Sequence, residues 1–318
     1  MRRQRSAFLA AFLALSLCVL LPAACFLIGE GQQRRSDALP AGSQGLYEYC
    51  APVTGIRCLD RLKQMAAAGF KLVLNYAQLY GTANEELVYA EQAQELGLKV
   101  IWAMNNPVFW NGTDLRGYYR TLAATCDCSD NRHFIRYVVH LVAGLPATWG
   151  YYIGEEVPRD DYARMAAFAD YVRQLDPSHP RLYVAGGNFA TNGANLEPFA
   201  GVAEFIGADI YPIGTSQPVA AVGQMARAIR SIAEHHHKQP IIVLQAFSFA
   251  EYPQESRLCA PFPACARFPT EAEMRQMREL ALSNAHPQFL LWYSYFDILR
   301  SDHPAGHWAD LVAAAGTD

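Results

Sequence analysis

Residues 148–155, TWGYYIGE, form an aromatic and β-branched run of strand length, and residues 160–175, DDYARMAAFADYVRQL, follow with helical spacing until Asp176-Pro177 stops them. The same strand-then-helix rhythm extends in both directions. Upstream, LYEYCA (46–51) precedes a helix at 57–69 closed by Gly69, and FKLVLNY (70–76) precedes a helix at 84–96 with Asn84 as N-cap and Gly97 as stop. LKVIWAMN (98–105) leads through an irregular stretch to a helix at 131–144. Downstream come RLYVAGG (181–187), EFIGADIY (204–211) with a helix at 219–236, PIIVLQAF (240–247) with a helix at 270–284, and QFLLWYSY (288–295) with a last helix closing near Ala315. Strands alternating with helices imply βα units and a parallel sheet, and eight units over roughly 270 residues predict a single (β/α)8 barrel at 45–318. An open doubly wound sheet would begin with a glycine-rich turn for a dinucleotide. Residues 50–57, CAPVTGIR, are not one.

Composition narrows the class. The chain has 318 residues, 52% hydrophobic and 18% charged, which supports a sizeable core and excludes a disordered protein. Its formal net charge is −4, and Arg2, Arg3 and Arg5 all lie at the extreme N-terminus, so the body is more acidic still. Without a basic stripe, a nucleic-acid partner is excluded. No Gly-x-Ser-x-Gly elbow, phosphate loop or zinc-protease helix motif occurs, and no cofactor or metal is expected.

The first 29 residues read as an export segment: a basic start, then an uncharged apolar run from Ala7 to Ile28. It fits a signal peptide, an uncleaved anchor, or a lipoprotein leader ending at Leu21-Pro-Ala-Ala-Cys25. Residues 30–44 read as a polar linker. All three outcomes place the body outside the cytoplasm, touching a membrane only through this segment. The remaining cysteines agree, falling into the close pairs Cys50/Cys58, Cys126/Cys128 and Cys259/Cys265, as loop-stapling disulfides do in an oxidising compartment. Their spacing does not suit a tetrahedral metal site. His235-His-His237 resembles a metal tract but ends a helix, where imidazole suits the dipole, and is read as structural. Asn111-Gly-Thr113 is a formal glycosylation sequon.

In such a barrel the chemistry sits at the C-terminal strand ends. There the chain offers Asn75 and Tyr76, Trp102 with Asn105 and Asn106, Tyr151 and Tyr152 with Glu155 and Glu156, Gly187 and Asn188, Asp209 and Tyr211, Gln245 and Phe247, and Trp292, Tyr293 and Tyr295 with Asp297 just beyond. Aromatic faces, amides and carboxylates with almost no cation suit a neutral, polyhydroxylated ligand rather than a phosphorylated one. Glu156, Glu155 and Asp209 are the candidate catalytic acids, and two adjacent acids suit pKa splitting. Asn75, Tyr76, Asn105, Tyr152, Asn188, Tyr211, Gln245, Trp292 and Tyr295 are the candidate sugar contacts. The bland alternatives are that one Glu caps the following helix, that the amides satisfy each other, and that the aromatics are core.

Trp149-Gly-Tyr-Tyr-Ile-Gly-Glu-Glu-Val-Pro158, with Gly207-Ala-Asp-Ile-Tyr-Pro212, Val243-Leu-Gln-Ala-Phe247 and Leu290-Leu-Trp-Tyr-Ser-Tyr295, resembles the glycoside hydrolase-like TIM barrels. The resemblance implies a general acid at Glu156, preceded by the acidic Glu155. It also implies a nucleophilic Glu at the seventh strand end in retaining members, where this chain carries Gln245. A glycosidase acting through carboxylate acid/base catalysis, with inversion, is the expectation. The alternatives are a non-catalytic carbohydrate-binding barrel at the cell surface and a secreted scaffold without ligand.

Overall fold

Eight parallel strands close on themselves in chain order, with the eighth paired back on the first. The computed structural model describes residues 39–51, 56–187, 193–252 and 267–316, and the barrel unit begins at Ala41. The expected leader lies outside the described residues. The strands are β1 (Ser43–Glu48), β2 (Leu72–Asn75), β3 (Lys99–Ala103), β4 (Thr148–Glu155), β5 (Arg181–Ala185), β6 (Phe205–Ile210), β7 (Gln239–Gln245) and β8 (Phe289–Tyr293). The principal helices around them are α1 (Ile56–Ala67), α2 (Ala83–Glu95), α3 (Asn131–Ala143), α4 (Tyr162–Leu175), α5 (Ala221–His235), α6 (Glu271–Ala285), α7 (Tyr295–Arg300) and α8 (Pro304–Ala315). Among the described residues no helix is long and apolar enough to cross a membrane.

Strand four stands where its apolar run places it. Two local expectations are corrected. The first strand runs 43–48 rather than 46–51, because Tyr49-Cys50 already turn away to the disulfide that joins Cys50 to Cys58 at the start of α1. Helix α2 is capped by Thr82, not Asn84: the Thr82 hydroxyl accepts from Glu85 N–H while the Glu85 carboxylate takes the Thr82 N–H, a capping box. Cys126 is bonded to Cys128 within the β3–β4 connection, and Cys259 and Cys265 lie outside the described residues. Between β5 and β6 the described residues form only a 3-10 helix, Ala194–Phe199, which contains Pro198.

The two faces of the sheet are packed differently. Outward residues such as Leu46, Val73, Trp102, Tyr151 and Trp292 pack with the helices in one continuous core. The inward face is filled in layers, as barrels of this size require. Near the strand starts Trp149 meets Phe205 and Phe289 edge-on, 4.9 Å from each ring. Nearer the C-terminal mouth, Tyr47 meets Tyr152 and Tyr293 at 6.0 and 5.2 Å. This tyrosine layer is the floor of the site.

Candidate active site

Strand β4 ends with Glu155, and Glu156 follows directly. In an unbroken strand adjacent side chains face opposite sides of the sheet, so only one of these acids could face the barrel mouth. Two backbone irregularities bring both there. The first is a shift in the β4–β5 register between Tyr152 and Gly154, a bulge centred on Ile153. Tyr152 points inward and accepts from the Tyr47 hydroxyl at 3.2 Å, and the bulge reverses the alternation so that Glu155, three residues on, points inward too. The second is Glu156 itself, whose φ of 46° lies in the left-handed region that few non-glycine residues adopt. Its N–H still pairs with the Val184 carbonyl at 2.9 Å, so the turn begins while the chain is tied to β5. Strain of this kind collects at functional sites, where surrounding structure holds it in place.

The third acid comes from β6. Asp209 is almost fully buried, accepts from the Gly187 N–H and lies against the Glu156 carboxylate. The end of β5 must be glycine for this to fit. A Cβ on Gly187 would be driven into the Asp209 carbonyl, and one on Gly186 would sit 2.8 Å from Glu156 Oε1. Glu155, Glu156 and Asp209 therefore border one cleft of about 330 Å³, walled by Tyr76, Tyr211, Phe247, Tyr252 and Tyr293.

Environment separates the three carboxyls. Tyr76 donates to Glu155 Oε1 at 2.5 Å and Asn105 Nδ2 donates to Oε2 at 2.9 Å. Burial nevertheless pushes Glu155 up to about 7, the donors opposing it and the Glu156 charge adding to it. Asp209 is held well above the usual carboxylate range, first by burial, then by the charge and hydrogen bond of Glu156, while the Gly187 N–H pulls the other way. Burial thus favours the neutral form of Asp209 beside Glu156, and Glu155 is poised between its two states near neutrality. Burial likewise raises Tyr47, Tyr76, Tyr152 and Tyr211, which stay protonated as donors.

Of the sequence-derived contacts, Tyr76, Asn105 and Tyr211 stand at the acids, and Tyr152 lies beneath them as floor, fully buried. Four others do not line the cleft. Asn75 is buried and spends its amide on Cys50 N–H, Cys50 carbonyl and Ala77 N–H, pinning the β1 and β2 ends together. Gln245 is buried with Oε1 on Ile213 N–H at 2.8 Å and Nε2 on the Ile213 and Phe247 carbonyls, so it clamps the loop after β6. Trp292 has the outward parity of β8 and donates to Gln44 at 2.7 Å, and Tyr295 donates to Gln64 of α1. The intervening Tyr293 is the cleft residue, as strict alternation along β8 requires. Asn188 lies outside the described residues. Sequence reasoning missed Tyr47 and Tyr252, and it listed Phe247 and Tyr293 at the strand ends without choosing them as contacts. Tyr293 and Phe247 carried a usable signal, an aromatic at inward parity on a strand end. Tyr252 carried none, because its place depends on hydrogen bonds to Tyr293 and to Asp297, a buried acid in the first turn of α7 that also accepts from Ser294 and Arg300.

Away from the cleft, His235, His236 and Glu197 bring ligand-capable atoms within 4.8 Å of one another, on a largely exposed surface where His236 Nε2 meets Glu197 Oε1 at 2.6 Å. This is the end of α5, and it plays no part in the acid cluster.

No family model matches the sequence, and no curated protein matches it. Solved structures do match its shape. A candidate alpha-L-fucosidase from Bacteroides thetaiotaomicron superposes with a TM-score of 0.58 at 13% identity, over 87% of this chain and 97% of that one. A glucosidase from Croceicoccus marinus gives 0.54 at 12%, over 87% and 66%. A GH2 beta-galacturonidase from Eisenbergiella tayi gives 0.53 at 13%, over 80% of this chain but only 44% of its own length. At such identities the likeness speaks to architecture: the chain folds as a (β/α)8 barrel, the architecture it shares with these glycosidases.

Proposed function

We propose that this protein is an extracytoplasmic glycosidase that hydrolyses a neutral carbohydrate by carboxylate acid/base catalysis with inversion. The observation that carries the reading is the convergence of Glu155, Glu156 and Asp209 on one aromatic-walled cleft at the barrel mouth. In the proposed step Glu156, hydrogen-bonded to Asp209 and the more exposed of the two, protonates the glycosidic oxygen. The bond from that oxygen to the anomeric carbon breaks. Water attacks the carbon from the other side, and ionised Glu155 takes its proton. Tyr76 and Asn105 fix the Glu155 carboxylate for that task. With Gln245 clamped to backbone, β7 supplies no carboxylate to trap the sugar, which favours inversion over a covalent intermediate. The tyrosine and phenylalanine walls offer apolar faces to sugar C–H groups. The basic-then-apolar leader and the two loop disulfides support export.

Glu155→Gln, Glu156→Gln and Asp209→Asn should each lower turnover by at least ~10²-fold on any glycan that a polysaccharide panel shows to be cleaved, with thermal stability retained or raised. Proton NMR of the first product released should show the inverted anomer. Sugar binding without hydrolysis across the panel would replace this reading with the non-catalytic carbohydrate-binding barrel. A periplasmic or surface reporter fused after residue 44 tests the location, and a reporter active only in the cytoplasm would refute export.

A further inference from the structure

We infer that the substrate is a chain of at least three sugar units, laid across the barrel mouth with the reacting bond near its middle. This rests on the hydrolase reading above. Among the described residues the central cleft has a neighbour on each side. Toward β2 and β3 lies a space of about 300 Å³ that shares Tyr76 and Glu155 with it. Toward β5 lies a space of about 730 Å³ that shares Glu156. The acids therefore stand at the junctions between compartments rather than at the bottom of a single pocket. If the central 330 Å³ seats the sugar whose bond is broken, each flank has room for at least one more of similar size.

The flanks are chemically suited to sugars. The smaller one is built from Tyr49, Tyr80 and Tyr119 with the amides of Asn105 and Asn106, and Glu155 is its one ionisable carboxylate. Tyr49 keeps 55% of its surface exposed, and Tyr118, packed against Tyr80, keeps 39%, although most large aromatics among the described residues are buried. The Tyr118 hydroxyl meets that of Tyr80 at 3.0 Å and accepts from Asn106 Nδ2 at 3.1 Å, so Tyr80 and Asn106 on this flank are tied together by hydrogen bonds before any ligand arrives. An aromatic shelf kept bare but rigid is a stacking surface. On the larger side Asn195 and Arg159 are the polar contacts, over a base of Tyr183 and Phe199, which stack on each other at 4.8 Å and are themselves buried. A substrate contributing one sugar would leave both flanks unused. Binding energy from such remote units is what raises turnover at the reacting bond.

The test uses the full chain and an oligosaccharide ladder, from disaccharide to hexasaccharide, of whichever polysaccharide the protein binds best. For the wild type, kcat/KM should rise about 10-fold per added unit up to at least the trisaccharide, with internal bonds cut. Tyr49→Ala and Tyr80→Ala should lose at least ~10-fold more on the tetrasaccharide than on an aryl monoglycoside. Calorimetric affinity of the Glu156→Gln variant should climb along the same ladder. A flat ladder, release of terminal sugars only, or equal losses on long and short substrates would overturn the inference while leaving the hydrolase reading intact. Affinity that grows with length in a protein that cleaves nothing would sink the hydrolase reading and keep the multi-unit groove. A protein that binds no member of the panel overturns both.

Discussion

Replacing Tyr76 by Phe removes one oxygen and isolates the electrostatics of Glu155. In the native site the phenol donates to Glu155 Oε1 at 2.5 Å, Asn105 donates to Oε2, and burial sets the pKa at about 7. A hydrogen bond to a charged group is worth about 1.5–3 kcal/mol. Its loss should therefore raise Glu155 by about 1–2 pH units, since one unit corresponds to 1.36 kcal/mol. At pH 7 the ionised fraction would fall from about one half to between a tenth and a hundredth, so a step that needs the carboxylate should slow by about 5–50-fold. The loss should be recovered as pH rises past the new pKa. Two measurements check this. The acid limb of kcat/KM against pH should move up by the stated amount, and the Glu155 side-chain carbon in ¹³C-glutamate-labelled protein, assigned with Glu155→Gln, should titrate at the same higher pH. A rate loss independent of pH, or a carbon that still titrates near the native position, would refute Glu155 as the base held by Tyr76.

Gly187→Ala should destabilise the barrel by about 2 kcal/mol or more, because the added Cβ is driven into the Asp209 carbonyl; an unchanged melting temperature would contradict the packing at β5. Gln245→Glu should cost about 2–4 kcal/mol in urea unfolding, since its clamp would face the Ile213 and Phe247 carbonyls with a carboxylate, and it should not convert the product to the retained anomer. Glu86→Gln should stabilise the protein at high pH. Burial raises Glu86 to about 8, above its ordinary 4.5, so its contribution is full below about 4.5 and is lost as pH rises through 8. Glutamine keeps the bond from Gln78 Nε2 and can donate to Gln78 Oε1, so urea melts should show an advantage of about 2–4 kcal/mol at pH 9 that disappears at pH 4; a difference independent of pH would count against the buried acid as its source.

Much of the barrel was legible because its signals are local. Apolar runs of strand length, the Asp176-Pro177 stop and Gly69 at a left-handed cap each act within a few residues. The pairing of Cys50 with Cys58 and Cys126 with Cys128 followed from chain proximity alone. Errors of detail arose where two nearby residues competed for one role: Thr82 against Asn84 for a cap, Tyr293 against Trp292 for the cleft. In a strand a slip of one position exchanges core for site, and a list of polar strand-end residues does not carry that parity.

Chain-local chemistry thus set how many strands there are, their order, and the fact that acids, amides and aromatic rings gather at one end of them. The direction of each side chain came from elsewhere. A bulge at Ile153 and a left-handed turn at Glu156 aim two adjacent acids at the same cleft, and Asp209 joins them from a strand more than fifty residues away across a glycine pair. The amides of Asn75 and Gln245 were drawn off by backbone groups distant in the chain. Such outcomes depend on which non-local partner satisfies a buried polar group, and that choice exists only once the barrel has closed.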